Sequence, residues 1–363
     1  MRVAQVLRPA AGGMLQHVYV LAGSLAGRGW QVVVGSPEPL CAPGALDVRV
    51  PITARPSIRS DLRAIRRIGE MCGGSTVVHA HGVRAGWLCA LASRRLPPIV
   101  VTAHNMPSGP MARCALRLAL RRAGAAVAVS NAVRDVIIRC GCPPDRAFAI
   151  PNGIDLARFD APPDRAEDRL ALSLPVEAPI IVYVGRLARE KGVDVLLRAV
   201  RSLLASVPDA RLVVVGDGPA RQDLLSLAVR LDLGAVVAFA GRVDDVRPWL
   251  RAADVVAAPS RSEGQGIAVV EAMAAGRPVV ASDTGGLRET VVEGVTGLLT
   301  PPGDVPCLAA ALARVLGDAP AARAMGEAGK ARARERYSLA AMVDSIEGLY
   351  RAVAPARAGR LAV

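Results

Sequence analysis

Residues 260–286 read S-R-S-E-G-Q-G-I-A-V-V-E-A-M-A-A-G-R-P-V-V-A-S-D-T-G-G and contain the most informative pattern in the chain. The run Asp254–Pro259 before it is short and valine-rich, which is typical of a buried parallel strand. From Ile267 the apolar residues recur at helical spacing until Gly276, and a second apolar run, Val279–Ala281, follows. The stretch therefore predicts one βαβ unit.

Two glutamates lie eight residues apart in this unit, Glu263 in the predicted loop and Glu271 in the predicted helix. Between them, Gly264 and Gly266 let backbone N–H groups approach a ligand at the start of the helix, where an anion is favoured. A phosphate there, flanked by two carboxylates that accept from sugar hydroxyls, would form a nucleotide-sugar site. An ordinary loop with two solvated glutamates fits the same pattern.

The composition is that of a soluble, two-domain chain. A length of 363 residues exceeds what one core usually supports, and 52% apolar residues supply ample core. No apolar run reaches the ~18 residues that cross a bilayer, and the N-terminus predicts a first strand rather than a signal peptide. Seven scattered cysteines favour a reducing compartment, so we expect a cytoplasmic protein.

The chain is strongly basic, with a net charge of +13, and Lys191 and Lys330 are its only lysines. Two predicted helices carry arginine rows. These rows are either solvated faces or a surface for an anionic membrane, and both interpretations stay open. Nucleic acid is not expected as a partner, because 3% aromatic residues leave few stacking platforms. The arginines of the two rows are Arg59, Arg63, Arg66, Arg67, Arg113, Arg117 and Arg121.

Residues 1–150 alternate short apolar strands with amphipathic helices, which predicts a doubly wound parallel sheet with ligands at the carboxyl ends of its strands. The pair Gly12–Gly13 after the first strand either brings backbone close to a bound group or forms a simple turn.

Three histidines, His79, His81 and His104, lie at the ends of two predicted strands. Each could bond a sugar hydroxyl or move a proton, or be a buried structural residue. A metal site made of the three is conceivable. We predict none, because no carboxylate ligand pattern joins them, and we place His17 on the first helix.

In the second half, the strand Ile180–Val184 leads into G-R-L-A-R-E-K-G at 185–192. Arg186 and Lys191 can converge on the two negative oxygens of a diphosphate, although stray basic residues on a surface loop are an alternative. Composition bias alone would have made Lys191 an arginine. The charged segment Asp160–Arg169 contains two prolines and no apolar period, which predicts a linker.

These stretches, with I-P-N-G-I-D at 150–155, resemble the retaining glycosyltransferases of the GT-B fold, family 4, also described as glycosyl transferases group 1. The resemblance implies an α/β chain of two Rossmann-like doubly wound parallel-sheet domains facing across a cleft. Residues 1–165 would form the acceptor domain and 170–337 the donor domain, with a helix at about 338–353 packing back on the first. One departure is Gln265, where the family commonly has an aromatic residue.

The resemblance also implies a role for each candidate residue. The diphosphate would be bound by Arg186, Lys191 and the helix start at Gly266 and Ile267. The sugar hydroxyls would be contacted by Glu263 and His104, with His81 behind them. The nucleotide ribose would be held by Glu271, and Gly13 would bring backbone near the donor phosphates.

The implied reaction moves a sugar from a nucleoside diphosphate sugar to a hydroxyl acceptor with retained anomeric configuration and with no metal or other cofactor. The acceptor would be a glycan or lipid-linked saccharide of cell-envelope or exopolysaccharide synthesis, with the enzyme in the cytoplasm, free or peripheral on the inner face of the membrane. The alternatives are a nucleotide-sugar epimerase of the same fold and a non-catalytic nucleotide-sugar-binding protein.

Overall fold

The computed structural model describes residues 1–9, 12–54, 56–92, 96–105, 109–160 and 165–354. The chain forms two compact units. The first contains Met1–Gly153 together with the residues from Leu339 on, and the second contains Ile154–Ser338. The division lies before the segment in which the sequence predicts the domain boundary.

The first unit is built on a seven-stranded parallel sheet in the order β3-β2-β1-β4-β5-β6-β7. Its strands are β1 Arg2–Leu7, β2 Gln31–Ser36, β3 Ala45–Arg49, β4 Val77–His81, β5 Ile99–Ala103, β6 Ala125–Ala128 and β7 Ala147–Ala149. Its helices are α1 Gly13–Gly27, α2 Ile58–Met71, α3 Val83–Ala92, α4 Gly109–Arg122, α5 Asn131–Arg139 and a C-terminal helix, Leu339–Val353.

Helices cover both faces of this sheet, which explains why its central strands are apolar throughout rather than alternating. The first helix and the C-terminal helix share one apolar cluster with Val3, Val77 and Val100. Helices α2, α3 and α4 pack on the opposite face. The strand order reverses between β1 and β4, where ligands bind in folds of this type.

The second unit has a six-stranded parallel sheet in the order β10-β9-β8-β11-β12-β13, which reverses between β8 and β11. Its strands are β8 Ile180–Val184, β9 Arg211–Val215, β10 Val237–Gly241, β11 Val255–Ala258, β12 Val279–Ser282 and β13 Gly297–Thr300. Its helices are α6 Arg165–Ala171, α7 Val193–Leu203, α8 Arg221–Arg230, α9 Arg247–Ala252, α10 Ile267–Ala274, α11 Leu287–Thr290, α12 Val305–Gly317 and α13 Ala319–Arg336. Two such sheets confirm the predicted α/β class.

The C-terminal helix, α14, is part of the first unit, on which the family resemblance implies that it packs. Its Tyr350 is fully buried and hydrogen-bonds through its hydroxyl with Nδ1 of His79 at 2.5 Å. Its Glu347 accepts from Nε1 of Trp30 at 2.9 Å and pairs with Arg28. Residues 355–363, which follow this helix, lie outside the described residues.

The predicted linker is wrong for its second part. Residues 161–164 lie outside the described residues, but α6 begins at Arg165 and packs in the second unit. The guanidinium of Arg169 is buried and donates to Asp254 at 2.6 Å, and Asp168 accepts from Arg251 at 2.6 Å. Ion pairs rather than an apolar stripe hold this helix, so hydrophobic periodicity does not reveal it.

Within the described ranges, no single helix is both long and apolar enough to cross a bilayer. Helices α12 and α13 reach that threshold only as a pair, and they are bent by 100° at their junction.

Candidate active site

The candidate donor site lies at the carboxyl ends of β8, β11 and β12 in the second unit. Three loops follow these strands, at residues 185–192, 259–266 and 283–286. They lie beside the point where the strand order reverses, which is where folds of this type bind ligands, so this edge of the sheet is the candidate site.

The structure brings Lys191 and Glu263 into direct contact. Nζ of Lys191 lies 2.5 Å from Oε2 of Glu263, and the hydroxyl of Ser260 donates to the same oxygen at 3.2 Å. The side chains are 25% and 12% exposed, so the pair is mostly shielded from water. An ammonium has three N–H donors, so Lys191 can keep this carboxylate and still donate to a phosphate oxygen.

Gly192 allows the lysine loop to approach β11. Lys191 ends a single 3₁₀ turn, and Gly192 after it has a left-handed backbone with φ of 69°. A Cβ atom at Gly192 would lie 2.0 Å from the carbonyl oxygen of Pro259. Only glycine lets the backbone pass this strand end, which places the lysine beside the glutamate loop.

Arg186 points to a different partner. Its guanidinium forms an ion pair with Glu190 and is 52% exposed, while its carbonyl oxygen accepts from the hydroxyl of Tyr183 at 3.0 Å. Exposed ion pairs contribute little stability. A diphosphate could therefore draw Arg186 away from Glu190 at low cost.

Arg261 is a site residue that the sequence analysis missed. Its guanidinium donates to both carboxylate oxygens of Asp194 at 2.7 Å and to the carbonyl oxygen of Arg189 at 2.9 Å. Its backbone N–H donates to the carbonyl oxygen of Glu190 at 2.8 Å. Arg261 thus ties the loop that carries Glu263 to the turn that ends at Lys191. The sequence contains many arginines, and nothing near Arg261 in sequence indicates that it makes these contacts.

The loop after β12 supports the glutamate loop from behind. Gly286 N–H donates to the carbonyl oxygen of Glu263 at 3.2 Å. A Cβ atom at Gly285 would lie 2.1 Å from that same oxygen. The hydroxyl of Thr290 donates to the carbonyl oxygen of Gln265 at 3.1 Å. These close backbone contacts hold the backbone of Glu263 in place at the edge of the sheet.

Helix α10 begins beside this loop. Gly266 precedes it with a left-handed φ of 88° and supplies no capping side chain, and Ile267 is its first residue. The helix start therefore offers backbone donors and the positive end of its dipole, which suit an anion.

Glu271 lies in the second turn of α10, as predicted, and its side chain is partly buried. Burial raises the pKa of its carboxyl from 4.5 to about 7, with the positive charge of Arg158 acting in the opposite direction. Near neutral pH this carboxyl is therefore balanced between its protonated and ionised forms, and a hydroxyl that donates to it would favour the ionised form.

In the first unit, the histidine grouping differs from the prediction. Nδ1 of His81, the last residue of β4, lies 3.3 Å from Nε2 of His104, which follows β5. The third imidazole beside them is that of His17 on α1, with its ring centroid 4.8 Å from that of His104. His79 instead hydrogen-bonds with Tyr350 and Thr102. The strand pattern cannot show that α1 brings a third imidazole to this sheet edge.

These imidazoles are buried and neutral at pH 7. Burial lowers the pKa of His17 to about 4, and it lowers the pKa values of His81 and His104 as well. Gly13 is the first residue of α1, directly after Gly12 with φ of 65°. Residues 10 and 11 of this glycine loop lie outside the described residues.

Two doubly wound sheets, with a cation, a carboxylate and a helix start gathered on one of them, define a GT-B type of sugar-transferring enzyme. The chain belongs to the glycosyl transferases group 1: the model of that family matches residues 164–332, and that of glycosyltransferase family 4 matches residues 11–158. The predicted family and enzyme class are thereby confirmed.

Known proteins agree with this assignment. The D-inositol 3-phosphate glycosyltransferase of Kineococcus radiotolerans is 34% identical, and the match covers 96% of this chain and 92% of that protein. The alpha-D-kanosaminyltransferase of Streptomyces kanamyceticus is 31% identical over 83% of each chain. The structure of sucrose-phosphate synthase from Thermosynechococcus elongatus superposes with a TM-score of 0.85 at 26% identity, covering 97% of this chain and 98% of that one.

Proposed function

We propose that this glycosyltransferase moves a sugar from a nucleoside diphosphate sugar to a hydroxyl acceptor, with retention of anomeric configuration. The observation that carries the proposal is the Lys191–Glu263 ion pair at the edge of the second sheet, beside the start of α10. It combines donors for a diphosphate with an acceptor for sugar hydroxyls within one small region.

The proposed chemistry places positive charge where negative charge develops. As the bond between the anomeric carbon and the phosphate oxygen breaks, charge builds on the leaving diphosphate. Lys191, Arg186 and the N–H groups at Gly266 and Ile267 stabilise that charge, so they act on the transition state more than on the bound substrate. The acceptor oxygen bonds to the anomeric carbon, and its proton passes to the leaving phosphate.

The remaining candidates hold the donor in place. Glu263 accepts hydrogen bonds from the sugar hydroxyls and Glu271 from the ribose hydroxyls. From the first unit, His104 orients the transferred sugar as a neutral imidazole, His81 supports it, and Gly13 brings backbone near the phosphates. No metal or other cofactor is part of this proposal, because side chains and the helix dipole supply the charge.

The acceptor is proposed to be a glycan or lipid-linked saccharide in polysaccharide or cell-envelope synthesis. The name of one relative gives a transferred sugar and that of the other gives an acceptor, so neither substrate is carried over. Their names are those of transferases, which does not favour an epimerase or a non-catalytic binding protein.

We further propose a cytoplasmic enzyme that associates peripherally with an anionic membrane through α2 and α4. Both helices pack on the same face of the first sheet and turn their arginine rows outward. Ile58, Leu62 and Met111 are 82%, 64% and 84% exposed on these helices. Arginines with exposed apolar side chains among them suit the headgroup region of an anionic leaflet.

An open pocket of about 430 Å³ on α2 would receive a lipid phosphate; its lining is Arg49, Pro51, Arg63, Arg66, Arg67 and Glu70. Co-sedimentation with phosphatidylglycerol vesicles tests this. Arg63→Glu should release the protein, and phosphatidylcholine vesicles should not retain the wild type. Equal binding to both vesicles would contradict the proposal.

The transferase proposal is tested with a panel of UDP-, GDP- and ADP-sugars. We expect the sugar nucleotides of one base to protect the full chain against thermal unfolding. Without an acceptor, the enzyme should hydrolyse them slowly and release the nucleoside diphosphate. Release should rise when a hydroxyl acceptor is added, and the product should keep the anomeric configuration of the donor. Conversion of the donor with no release of nucleotide would instead indicate an epimerase, and protection with no turnover under any acceptor would indicate a binding protein.

A further inference from the structure

The first unit contains a cluster of three buried imidazoles that the proposed transfer uses only in part. His17, His81 and His104 each offer a ring nitrogen, and these atoms lie within 4.8 Å of one another. The three side chains are at most 8% exposed. In the proposed transfer His104 orients the sugar and His81 only supports it, and His17 has no role, so the approach of three imidazoles needs its own explanation.

The spacing fits two ligands of one metal ion. Zinc binds histidine nitrogen at about 2.0–2.1 Å, so two nitrogens of a tetrahedral site lie about 3.3–3.4 Å apart. Nδ1 of His81 and Nε2 of His104 are 3.3 Å apart. The ring of His17 meets both neighbours edge-on, with centroid distances of 5.4 and 4.8 Å, and one of its nitrogens lies within 4.8 Å of theirs.

The hydrogen bonding leaves ligand capacity unused. Within the described ranges, Nε2 of His81 has no hydrogen-bond partner, and the ring nitrogens of His17 make no well-formed bond. The side chain of Asn152 lies near enough to His17 to raise its pKa slightly against the larger effect of burial. An ion bound through one ring nitrogen of His17 would satisfy that buried nitrogen, whereas Nε2 of His81 lies on the far side of its ring from the Nδ1 that faces His104.

The protonation state also suits metal binding. Burial lowers the pKa values of all three imidazoles, so each is neutral at pH 7 with a lone pair available. His79 is the informative exception in this region. It is equally buried, but both of its nitrogens are taken, by Tyr350 at 2.5 Å and by Thr102 at 2.6 Å.

We propose that His17, His81 and His104 bind one late first-row divalent ion, for which Zn²⁺ is the probe, with the fourth coordination position open. Imidazole is a ligand that zinc, copper and nickel share, so the site is defined by this class of ion. Three neutral ligands leave the charge of the ion uncompensated, and Arg8 adds positive charge near His104. The open fourth position would leave room for a ligand from solvent to offset that charge.

The consequence for catalysis rests on the proposed function. If His104 orients the transferred sugar, an ion on its nitrogen removes that contact, so Zn²⁺ inhibits transfer rather than supporting it. The proposed transfer uses no metal, and the ion would act as an inhibitor that competes for one imidazole.

The binding test uses the full chain without a polyhistidine tag, titrated with Zn²⁺ in the presence of a chelating dye. We expect one Zn²⁺ per chain. His17→Gln, His81→Gln and His104→Gln should each weaken binding by about a hundredfold or more, since even second-shell losses cost up to that much. His79→Gln is the matched control, a buried histidine of the same strand that should bind Zn²⁺ like the wild type.

The absorption spectrum of bound Co²⁺ distinguishes binding at the three histidines from binding at any of the seven cysteines. Co²⁺ held by three histidines gives tetrahedral d–d bands without a thiolate charge-transfer band, whereas binding at Cys140 and Cys142 gives that band. Circular dichroism checks the fold of each variant. Should a more buried variant fail to fold, His104→Gln carries the test, because its side chain is the most exposed of the three.

The proposal is overturned by less than one Zn²⁺ per chain, by unchanged binding in the three variants, or by equal loss in His79→Gln. Measuring sugar transfer with and without Zn²⁺ distinguishes failure of the metal site from failure of the proposed function. Zn²⁺ should inhibit wild-type transfer, with reversal by chelator. Binding without inhibition would remove the inhibitory role and leave the metal site, and binding by a chain that transfers no sugar would overturn the proposed function alone.

Discussion

Nζ of Lys191 lies 2.5 Å from Oε2 of Glu263, so a cation and a carboxylate with different predicted ligands already form one mostly buried ion pair. The pair holds both groups at the sheet edge before a donor binds. The two side chains therefore need to move little when the diphosphate and sugar bind. Such preorganised groups are what electrostatic stabilisation of a leaving group requires.

Lys191→Ala is expected to lower kcat by about a hundredfold or more, the usual effect of removing one donor from a developing negative charge. The KM for the donor should change less, because the lysine acts mainly on the transition state. Steady-state kinetics with varied donor measure both constants. Lys330→Ala, which removes the other lysine of the chain, should behave as wild type.

Glu271→Ala is expected to act on binding instead. The lost charge-assisted hydrogen bond to ribose should weaken donor affinity by about tenfold or more, with a smaller effect on kcat. Calorimetric titration with the nucleoside diphosphate measures this, since that ligand contains the ribose but no transferred sugar. If Glu271→Ala and Lys191→Ala both kept wild-type activity, these residues would not bind the donor and the proposed donor site would be refuted.

The strands and the motif loops could be predicted from the sequence because their signals are local. Strand β8, Ile180–Val184, was predicted with its observed bounds, since a strand covered on both faces is a short apolar run. The loop between β11 and α10 was also predicted where the structure has it, because an apolar run ends before it and a helical period begins after it. Neither inference needed a contact between distant residues.

The parts that could not be predicted depend on long-range pairing of charged or polar residues. Arg169 enters the core of the second unit because Asp254 compensates its charge, and nothing near it in sequence shows this. The link between Arg261 and Asp194 is hidden in the same way among many arginines. His17 was placed on its helix, but its approach to His104 follows from how that helix packs.

The free energy of unfolding should depend on pH through Glu271. Its carboxyl keeps its proton to about pH 7 in the folded chain but only to about 4.5 when unfolded. Between these values the folded state binds more protons, so this residue makes the protein less stable as pH rises, by at most about 3 kcal/mol, with no further change above pH 7.

Glu271→Gln keeps a neutral side chain of the same shape and removes this contribution. Denaturant unfolding of both proteins at pH 5 and pH 8 measures it, and the comparison cancels the other titrating groups. The variant should gain stability relative to wild type at pH 8. An equal difference at the two pH values would show that the carboxyl titrates normally.

Arg261→Ala should lower kcat although Arg261 itself is not proposed to touch the donor. Without its bonds to Asp194 and Arg189, the glutamate loop loses its link to the lysine turn. Stability should change by less than about 1 kcal/mol, because the ion pair is partly exposed. Arg334→Ala, which removes another exposed ion pair of the second unit, is the control and should leave kcat unchanged.

A positioning role also predicts coupling between the two partners. Asp194→Ala combined with Arg261→Ala should be no worse than either single variant, and exchange of the two charges should restore part of the activity. Additive losses would show that the residues act separately.

Gly285→Ala is expected to disrupt the support behind Glu263. The new Cβ would lie 2.1 Å from the carbonyl oxygen of Glu263, a backbone atom held in a packed loop, so the loop must move. Gly303→Ala separates this clash from backbone strain, since Gly303 also has a positive φ but has no atom near its Cβ position. The control should lose about 1–2 kcal/mol of stability and keep donor binding. Gly285→Ala should lose more stability together with thermal protection by the donor, and full protection in that variant would mean that the position of Glu263 does not depend on this contact.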